Sequence, residues 1–256
     1  MTMLTGWTAS VVLEATDLTL GYGATVILQN LTFSVNGGDI FLIMGGSGCG
    51  KSTLLRHLVG LQRPLAGAIH YGTASLWSDD ATLSSALLRR CGVLFQGGAL
   101  WSSLTIGENV ALPLQTWTHL GPGEIRDRVA FKLALVGLAG FENHYPAQIS
   151  GGMARRAGLA RAMALDPEIL FCDEPSAGLD PVNARRLDDL LLELRAGMGT
   201  TLVVVTHELA SIFAIGTNGI FLDAESRTIL ASGDPHRLLA ESKDPKVRQF
   251  LTRGEV

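Results

Sequence analysis

Gly45, Gly46, Ser47, Gly48, Cys49, Gly50, Lys51, Ser52 and Thr53 read "GGSGCGKST" and contain the spacing G-x-x-x-x-G-K-S. Glycines at this density let successive backbone N–H groups turn toward one point, and a helix opening at Lys51 would aim its positive end there. Both features suit the oxygens of a phosphate chain. The Lys51 ammonium would reach the β- and γ-phosphates, and the Ser52 hydroxyl would hold Mg2+. A plain glycine turn between strand and helix is the alternative. The apolar run at 40–44 before the loop and the leucines after it favour the phosphate reading.

A phosphate cradle names no reaction by itself. A metal-binding carboxylate at the carboxyl end of a second buried strand narrows the choice, and "ILFCDEP" supplies one. After the apolar residues 169–172, Asp173 would meet Mg2+ directly or through water, and Glu174 would take a proton from a water attacking the γ-phosphate. A lone Asp-Glu pair also serves as a helix cap. A four-residue apolar strand in front of it, in a chain with a phosphate loop, points to catalysis.

Several further stretches, taken together and in order, resemble one family, the ATP-binding-cassette ATPases. "ISGGMARR" (149–156) is similar to the family's signature loop, "SAGLD" (176–180) to its D-loop, Gln96 in "LFQGG" to its Q-loop glutamine, and His207 in "VVVTHE" to its switch histidine. Tyr22 stands where the family has the aromatic that stacks on adenine. Singly, each has a duller reading: Gln96 a polar strand end, His207 a helix cap, Tyr22 a core aromatic, Ser150 a helix N-cap. The resemblance spans roughly residues 13–233 and implies ATP and Mg2+ as ligands.

It also implies a homodimer that binds ATP between its two copies, head to tail. Ser150, Gly151, Gly152 and the helix start behind them would face the γ-phosphate held by the other copy's Lys51, a dipole against an anion. His207 would hold that phosphate and the attacking water. Gln96, implied as a catalytic residue and metal ligand, and Asp180 would couple closure to partners.

"LFQGGALWSSLTIGENVALPL", the long stretch around "YPAQISGGMARR", "VVVTHELASIFAI" and "DPKVRQFL" resemble the ATPase subunits of MCE-associated lipid transporters, the Mla or toluene-tolerance type. Met153, where most cassettes carry Gln, followed by Ala-Arg-Arg, is the most telling departure. The implied partners are integral-membrane permease subunits, with a small STAS-domain protein and a periplasmic MCE protein as further members. The implied place is the cytoplasmic face of the inner membrane, and the implied cargo a phospholipid or another hydrophobic molecule. Lipoprotein extraction and polar-solute import are the neighbouring alternatives. Leu100, Trp101 and Leu104, just after Gln96, are candidates for an apolar permease-docking lining or equally for core of a helical lobe. Cys49 replaces the Ser or Ala of many cassettes, and its thiol would be oxidation-sensitive if exposed.

The elements that must position these residues follow from hydrophobic spacing. "VVLEATDLTLGYG", "LQNLTFSV" and "IFLIM" alternate like an antiparallel sheet, with the last strand buried, and "KSTLLRHLVGL" has helical spacing at Leu54, Leu55, Leu58 and Leu61. Residues 100–150 read as mostly helical, an inserted subdomain. Beyond them, strands "EILFC", "TLVVV" and "GIFLD" alternate with helices, the pattern of a buried parallel sheet. The expected organisation is an α/β P-loop NTPase cassette over 11–241 with mostly parallel sheet, an N-terminal antiparallel β subdomain and the helical insertion at about 100–150, then a short C-terminal segment at 242–256.

Composition narrows the classes. Three scattered cysteines among 256 residues give neither a disulfide framework nor a zinc cluster. A net charge of -4 without basic clusters argues against nucleic acid as a partner. The amino terminus has no basic and apolar signal pattern, and no apolar run reaches the ~18 residues of a membrane span. A charged fraction of 17% with positive mean hydropathy leaves apolar surface to place, in a large α/β core or on a docking face. A soluble cassette acting on ribosomes or DNA and a non-hydrolysing scaffold are the competing classes; a single P-loop, the acidic balance and intact Lys51, Asp173, Glu174 and His207 speak against both.

Overall fold

In a computed structural model, the chain is described over residues 10–78 and 81–253. β1 (Val11–Tyr22) and β2 (Thr25–Asn36) form a long antiparallel pair. β3 (Ile40–Gly45) leads into α1 (Lys51–Leu58). β4 (Ala66–Tyr71) and β5 (Ala74–Ser75) complete an antiparallel sheet of order β2-β1-β4-β5. α2 (Ala81–Arg89) precedes β6 (Cys91–Leu94), and α3 (Ile106–Trp117), α4 (Pro122–Leu135) and α5 (Gly151–Ala162) form the helical lobe. The chain then alternates through β7 (Ile169–Asp173), α6 (Pro181–Met198), β8 (Thr201–Val205), α7 (Leu209–Ile215), β9 (Asn218–Asp223) and β10 (Thr228–Ser232). It closes with α8 (Pro235–Glu241) and α9 (Pro245–Leu251).

The second sheet has order β10-β9-β3-β8-β7-β6, parallel except for the β10–β9 pair. Its central strands β3 and β8 are buried at every position, since both faces of the sheet are covered. Ile40, Leu42 and Met44 of β3, with Leu202 and Val204 of β8 and Leu170 and Cys172 of β7, enter the core shared with α3–α7. Phe41, Ile43, Val203, Val205, Ile169 and Phe171 point the other way, into the core shared with α1 and the antiparallel sheet. β3, expected with the antiparallel strands, thus belongs to the parallel sheet; its uninterrupted apolar run is the mark of a doubly covered strand rather than an alternating one.

α1 ends sooner than the leucine spacing suggests. Gly60 takes φ +74°, its N–H donates to the His57 carbonyl and that of Leu61 to the Arg56 carbonyl, which closes the helix as a Schellman turn and leaves Leu61 exposed. α2 was not anticipated. The C-terminal segment is no loose appendage: Val247 and Leu251 are buried in the helical core, and Lys246 pairs with Asp223 at 3.0 Å and Glu225 at 2.6 Å. Among the described residues no helix is long and apolar enough to cross a membrane.

α5 lies directly on the turn that follows β6. A Cβ at Gly158 would stand 2.7 Å from the Gly98 Cα, and one at Gly98, itself at φ +86°, would stand 2.7 Å from the Ala154 carbonyl oxygen. Backbone meets backbone, so no side chain can yield. Gly158→Ala is therefore expected to cost about 1–3 kcal/mol as overpacking, read as a lower denaturant midpoint with an unchanged slope.

Candidate nucleotide site

The glycine loop joins β3 to α1, and Gly50 needs its lack of a side chain: φ is +96°, and a Cβ would meet Leu28 at 2.8 Å. Lys51 is 6% exposed, and its ammonium donates to the carbonyl oxygens of Gly45 at 2.9 Å and Gly46 at 2.8 Å. The Ser52 hydroxyl donates to Asp173 Oδ1 at 3.4 Å. Burial, and then the charge of Glu174, push the Asp173 carboxyl above its ordinary range, with Ser52 pulling the other way. A cation beside Ser52 and Asp173 would relieve that like-charge crowding. The two hard oxygen donors suit Mg2+, and no group of three or more His, Cys, Asp or Glu able to hold a metal exists among the described residues, so water and phosphate oxygens would have to complete its shell.

Glu174 sits just past the end of β7 at φ +46°, with its N–H donating to the Val205 carbonyl at 2.9 Å. Its carboxylate meets His207 Nδ1 at 3.0 Å and the Gln96 amide at 3.4 Å. Gly46, Ser47, Gly48, Gly50, Lys51, Ser52, Thr53, Glu174 and His207 all line one cavity of about 660 Å3. Most of the sequence-predicted phosphate, metal and hydrolysis residues therefore converge, with Asp173 beside Ser52, while Gly45 and buried Cys49 of the same loop do not line the cavity. Gln96 donates to the carboxylate of Glu174, the residue next to Asp173 in the chain.

Other expected residues stand apart from that cavity. Tyr22, 44% exposed, caps β1 with its hydroxyl on Arg56 of α1 at 3.1 Å, and hydrogen bonds from Thr53 and Arg56 draw its phenol below the ordinary value. Ser150 is the N-cap of α5, accepting from the Met153 N–H at 3.2 Å; Gly151 stands in open space at the helix start, whereas a Cβ on Gly152 would touch Asn183 and Leu179. Asp180 caps α6 through the N–H groups of Val182 and Asn183. Hydrogen bonds from the Asn183 side chain and those amides hold its carboxyl low. Two lining residues went unread in the sequence: Ile27 of β2 and Phe250 of α9. Phe250 gave no local sign: its edge contact with Phe221 of β9, at 5.1 Å between centroids, acts with the Lys246 ion pairs and buried Val247 and Leu251 to bring α9 to the loop.

With this geometry in view, comparison with known proteins is decisive: residues 28–177 match the family described as ABC transporter. The chain belongs to the ABC transporter family. It is 40% identical over 251 residues, 98% of this chain and 69% of the relative, to the "Probable ribonucleotide transport ATP-binding protein mkl" of Mycobacterium tuberculosis H37Rv. It is 38% identical over 235 residues, 92% of this chain and 86% of the relative, to the "Intermembrane phospholipid transport system ATP-binding protein MlaF" of Escherichia coli K12. Among solved structures, the dimeric post-hydrolysis state of the ATP-binding cassette MJ0796, bound to ADP and Pi, matches with TM-score 0.77 and 31% identity, over 87% of this chain and 98% of that one. The cassette fold and the ATPase activity expected from the motifs both hold.

The cassette has a second, apolar concavity of about 920 Å3, lined by Trp77, Phe95, Trp101, Leu112 and Trp117 among others. Trp101 is 62% exposed, and the Arg89 guanidinium lies 4.4 Å over the Trp117 ring. Buried Asn109 shapes its rim: its side chain accepts from the Trp101 N–H and donates to the carbonyls of Trp101, Leu104 and Thr105. Of the three residues put forward for docking, only Trp101 lines this groove; Leu100 packs against the helical core and Leu104 is half-buried. α2, absent from the sequence reading, supplies the opposite wall.

Cys49 is 3% exposed, and burial pushes its thiol up; Cys91 and Cys172 are pushed up to about 12. A raised folded value means the unfolded chain loses its thiol protons first. Their contribution to stability is thus complete below pH 9 and lost as pH climbs toward 12. Denaturation midpoints should fall over that window, and iodoacetamide should label Cys49 at least about tenfold more slowly in the native protein than in denaturant.

Proposed function

We propose that this cassette is the ATP-hydrolysing motor of a transporter that moves phospholipid, or a similarly hydrophobic molecule, between membranes, working as two identical copies on integral-membrane permease subunits. The observation that carries the motor reading is the convergence of Lys51, the Ser52–Asp173 pair and the Glu174–His207 pair on one cavity. The lipid reading is supported by likeness to MlaF over most of both chains and by the Met153-Ala-Arg-Arg run after the signature glycines. The name of the mycobacterial relative points instead to ribonucleotides. The aromatic groove suits an apolar permease segment.

The chemistry assigned to the residues is as follows. The glycine loop's N–H groups and the Lys51 ammonium hold the β- and γ-phosphates of ATP, with Tyr22 offering an aromatic face for adenine. Mg2+, when bound by Ser52 and Asp173, supplies charge neutralisation on the phosphate oxygens. The Glu174 carboxylate orients a water in line with the γ-phosphate and takes its proton, while His207 fixes that carboxylate and Gln96 reports on it from the permease side. Ser150, Gly151 and Gly152 of a second copy would close over the γ-phosphate, and Asp180 would border that contact. On this reading the protein works at the cytoplasmic face of the inner membrane, held there by its permease, with a periplasmic MCE protein and a small STAS-domain subunit as further members.

The test is MgATP hydrolysis by wild type and Glu174→Gln, each copurified with its membrane partner, then transfer of a labelled phospholipid between vesicles. We expect Glu174→Gln to lose at least about a hundredfold in kcat, as for removal of a general base, while retaining ATP in a stable dimer. Hydrolysis without lipid transfer, but with nucleoside or lipoprotein movement, would reassign the cargo. For the groove, Trp101→Ala should abolish permease copurification and leave MgATP binding by the free cassette within about twofold; global unfolding would instead make Trp101 a structural residue.

A further inference from the structure

The turn that begins at Glu174 is held from two sides by groups that touch neither ATP nor metal in the mechanism above. From α5, the Arg155 guanidinium donates through Nη1 to the Pro175 carbonyl at 2.9 Å and through Nη2 to the Ala177 carbonyl. These are the carbonyls on either side of Ser176. From behind, the Ser176 hydroxyl pairs with the Ser211 hydroxyl of α7 at 3.3 Å, and Ser211 donates to Asp188 Oδ2 of α6 at 2.8 Å. Ser176, Ser211 and Asp188 are each 3% exposed, and Asp188 Oδ1 is buried without a partner.

The turn is also under backbone strain, since Glu174 occupies the left-handed region at φ +46° without being glycine. Such a conformation persists only where surrounding contacts over-determine it. Arg155 lies on the helix whose N-terminus is capped by Ser150, and the same helix sends Arg161 to the carbonyls of Gly98 at 3.0 Å and Ala99 at 2.8 Å, next to Gln96. One helix therefore grips both segments, 174–177 and 96–99, whose side chains meet at the Glu174 carboxylate.

We propose that Arg155 is a positioning residue for hydrolysis: by bracketing Ser176 through the carbonyls of Pro175 and Ala177, its guanidinium fixes the strained turn that aims Glu174. The inference rests on the role given to Glu174 above. It gives a physical route inside one copy from the signature end of α5, which would face the partner copy's ATP, to that copy's own catalytic carboxylate. A planar fork is required, because two carbonyls of one turn are held at once. Lysine keeps the charge and most of the stem but has no fork.

The experiment compares Arg155→Lys, Ser176→Ala and Glu174→Gln, each copurified with its membrane partner. The readouts are kcat and KM for MgATP, nucleotide Kd by displacement of a fluorescent ATP analogue, and the thermal midpoint. We expect Arg155→Lys to lower kcat at least about tenfold with Kd within about twofold, the signature of lost positioning rather than lost binding. Ser176→Ala should shift the same quantities in the same direction by a smaller factor. A kcat within about twofold of wild type in Arg155→Lys, with Glu174→Gln inactive, overturns the positioning role and leaves the mechanism standing. Parallel loss of kcat, nucleotide binding and folded protein in both variants makes the bracket purely structural and overturns it too. Full hydrolysis by Glu174→Gln removes the reading of Glu174, and the proposal with it.

Discussion

In-register parallel pairing of β6, β7, β8 and β3 is the constraint from which the site follows. Asp173 pairs with Val205 across β7 and β8, Ile43 pairs with the same Val205 across β3 and β8, and Leu94 pairs with Cys172 across β6 and β7. The strands consequently end together, and the segments leaving those ends carry the phosphate loop, Asp173 with Glu174, His207 and Gln96. Groups separated by up to 162 positions in sequence, from Gly45 to His207, meet because four strands stop at one edge, as ligand sites of open α/β sheets do. Burial of the strands on both faces holds that register, since a slip of one residue would exchange the side chains of two separate cores.

Much of this was legible because the decisive residues are local patterns. The glycine loop is a contiguous string whose expected work falls to its backbone, and Asp173 and His207 come just after the apolar runs 169–172 and 202–205, so a linear reading locates them. Leu61 was misplaced although the signal was present: Gly60 is the left-handed residue that ends α1, and the apolar spacing was followed past it. β3 was grouped with its neighbours in sequence because periodicity cannot tell which sheet a strand joins. α2 was missed although "ATLSSALLR" is no shorter than α1 and carries a comparable apolar stripe; its place is set by contacts with β6 and the groove.

Contacts between distant segments were beyond reach. Nothing in "DPKVRQFL" says that Lys246 pairs with Asp223 and Glu225, or that Phe250 stands on the phosphate loop's side of the sheet. Likewise the two arginines after Met153 were read as a mark of a branch, whereas their use is physical: Arg155 spans two carbonyls of the turn after Glu174, and Arg156 donates to the Val136 carbonyl at 2.9 Å. A guanidinium can satisfy several buried carbonyls at once, and buried carbonyls at strained turns need partners. The chemistry of the residue was available from its type; the identity of the carbonyls required the fold.

The low charge of the chain has two structural answers rather than one. Most of its apolar content lies in the two cores separated by the parallel sheet, which accounts for unbroken runs such as "TLVVV" and "IFLIM". Part of what remains is gathered in one place: Phe95, Trp101, Leu112 and Trp117 are each at least 37% exposed and border the same concavity. Apolar residues scattered singly over a surface need no explanation, but aromatic rings gathered in one groove do. The turn that leaves β6 carries Gln96 to the Glu174 carboxylate and continues to Trp101 at the groove, and Arg161 fixes its Gly98 and Ala99 carbonyls between those two points. Pressure on the groove would therefore be felt at the Glu174 carboxylate through five residues of backbone held at their middle, a far shorter lever than any path through the cores.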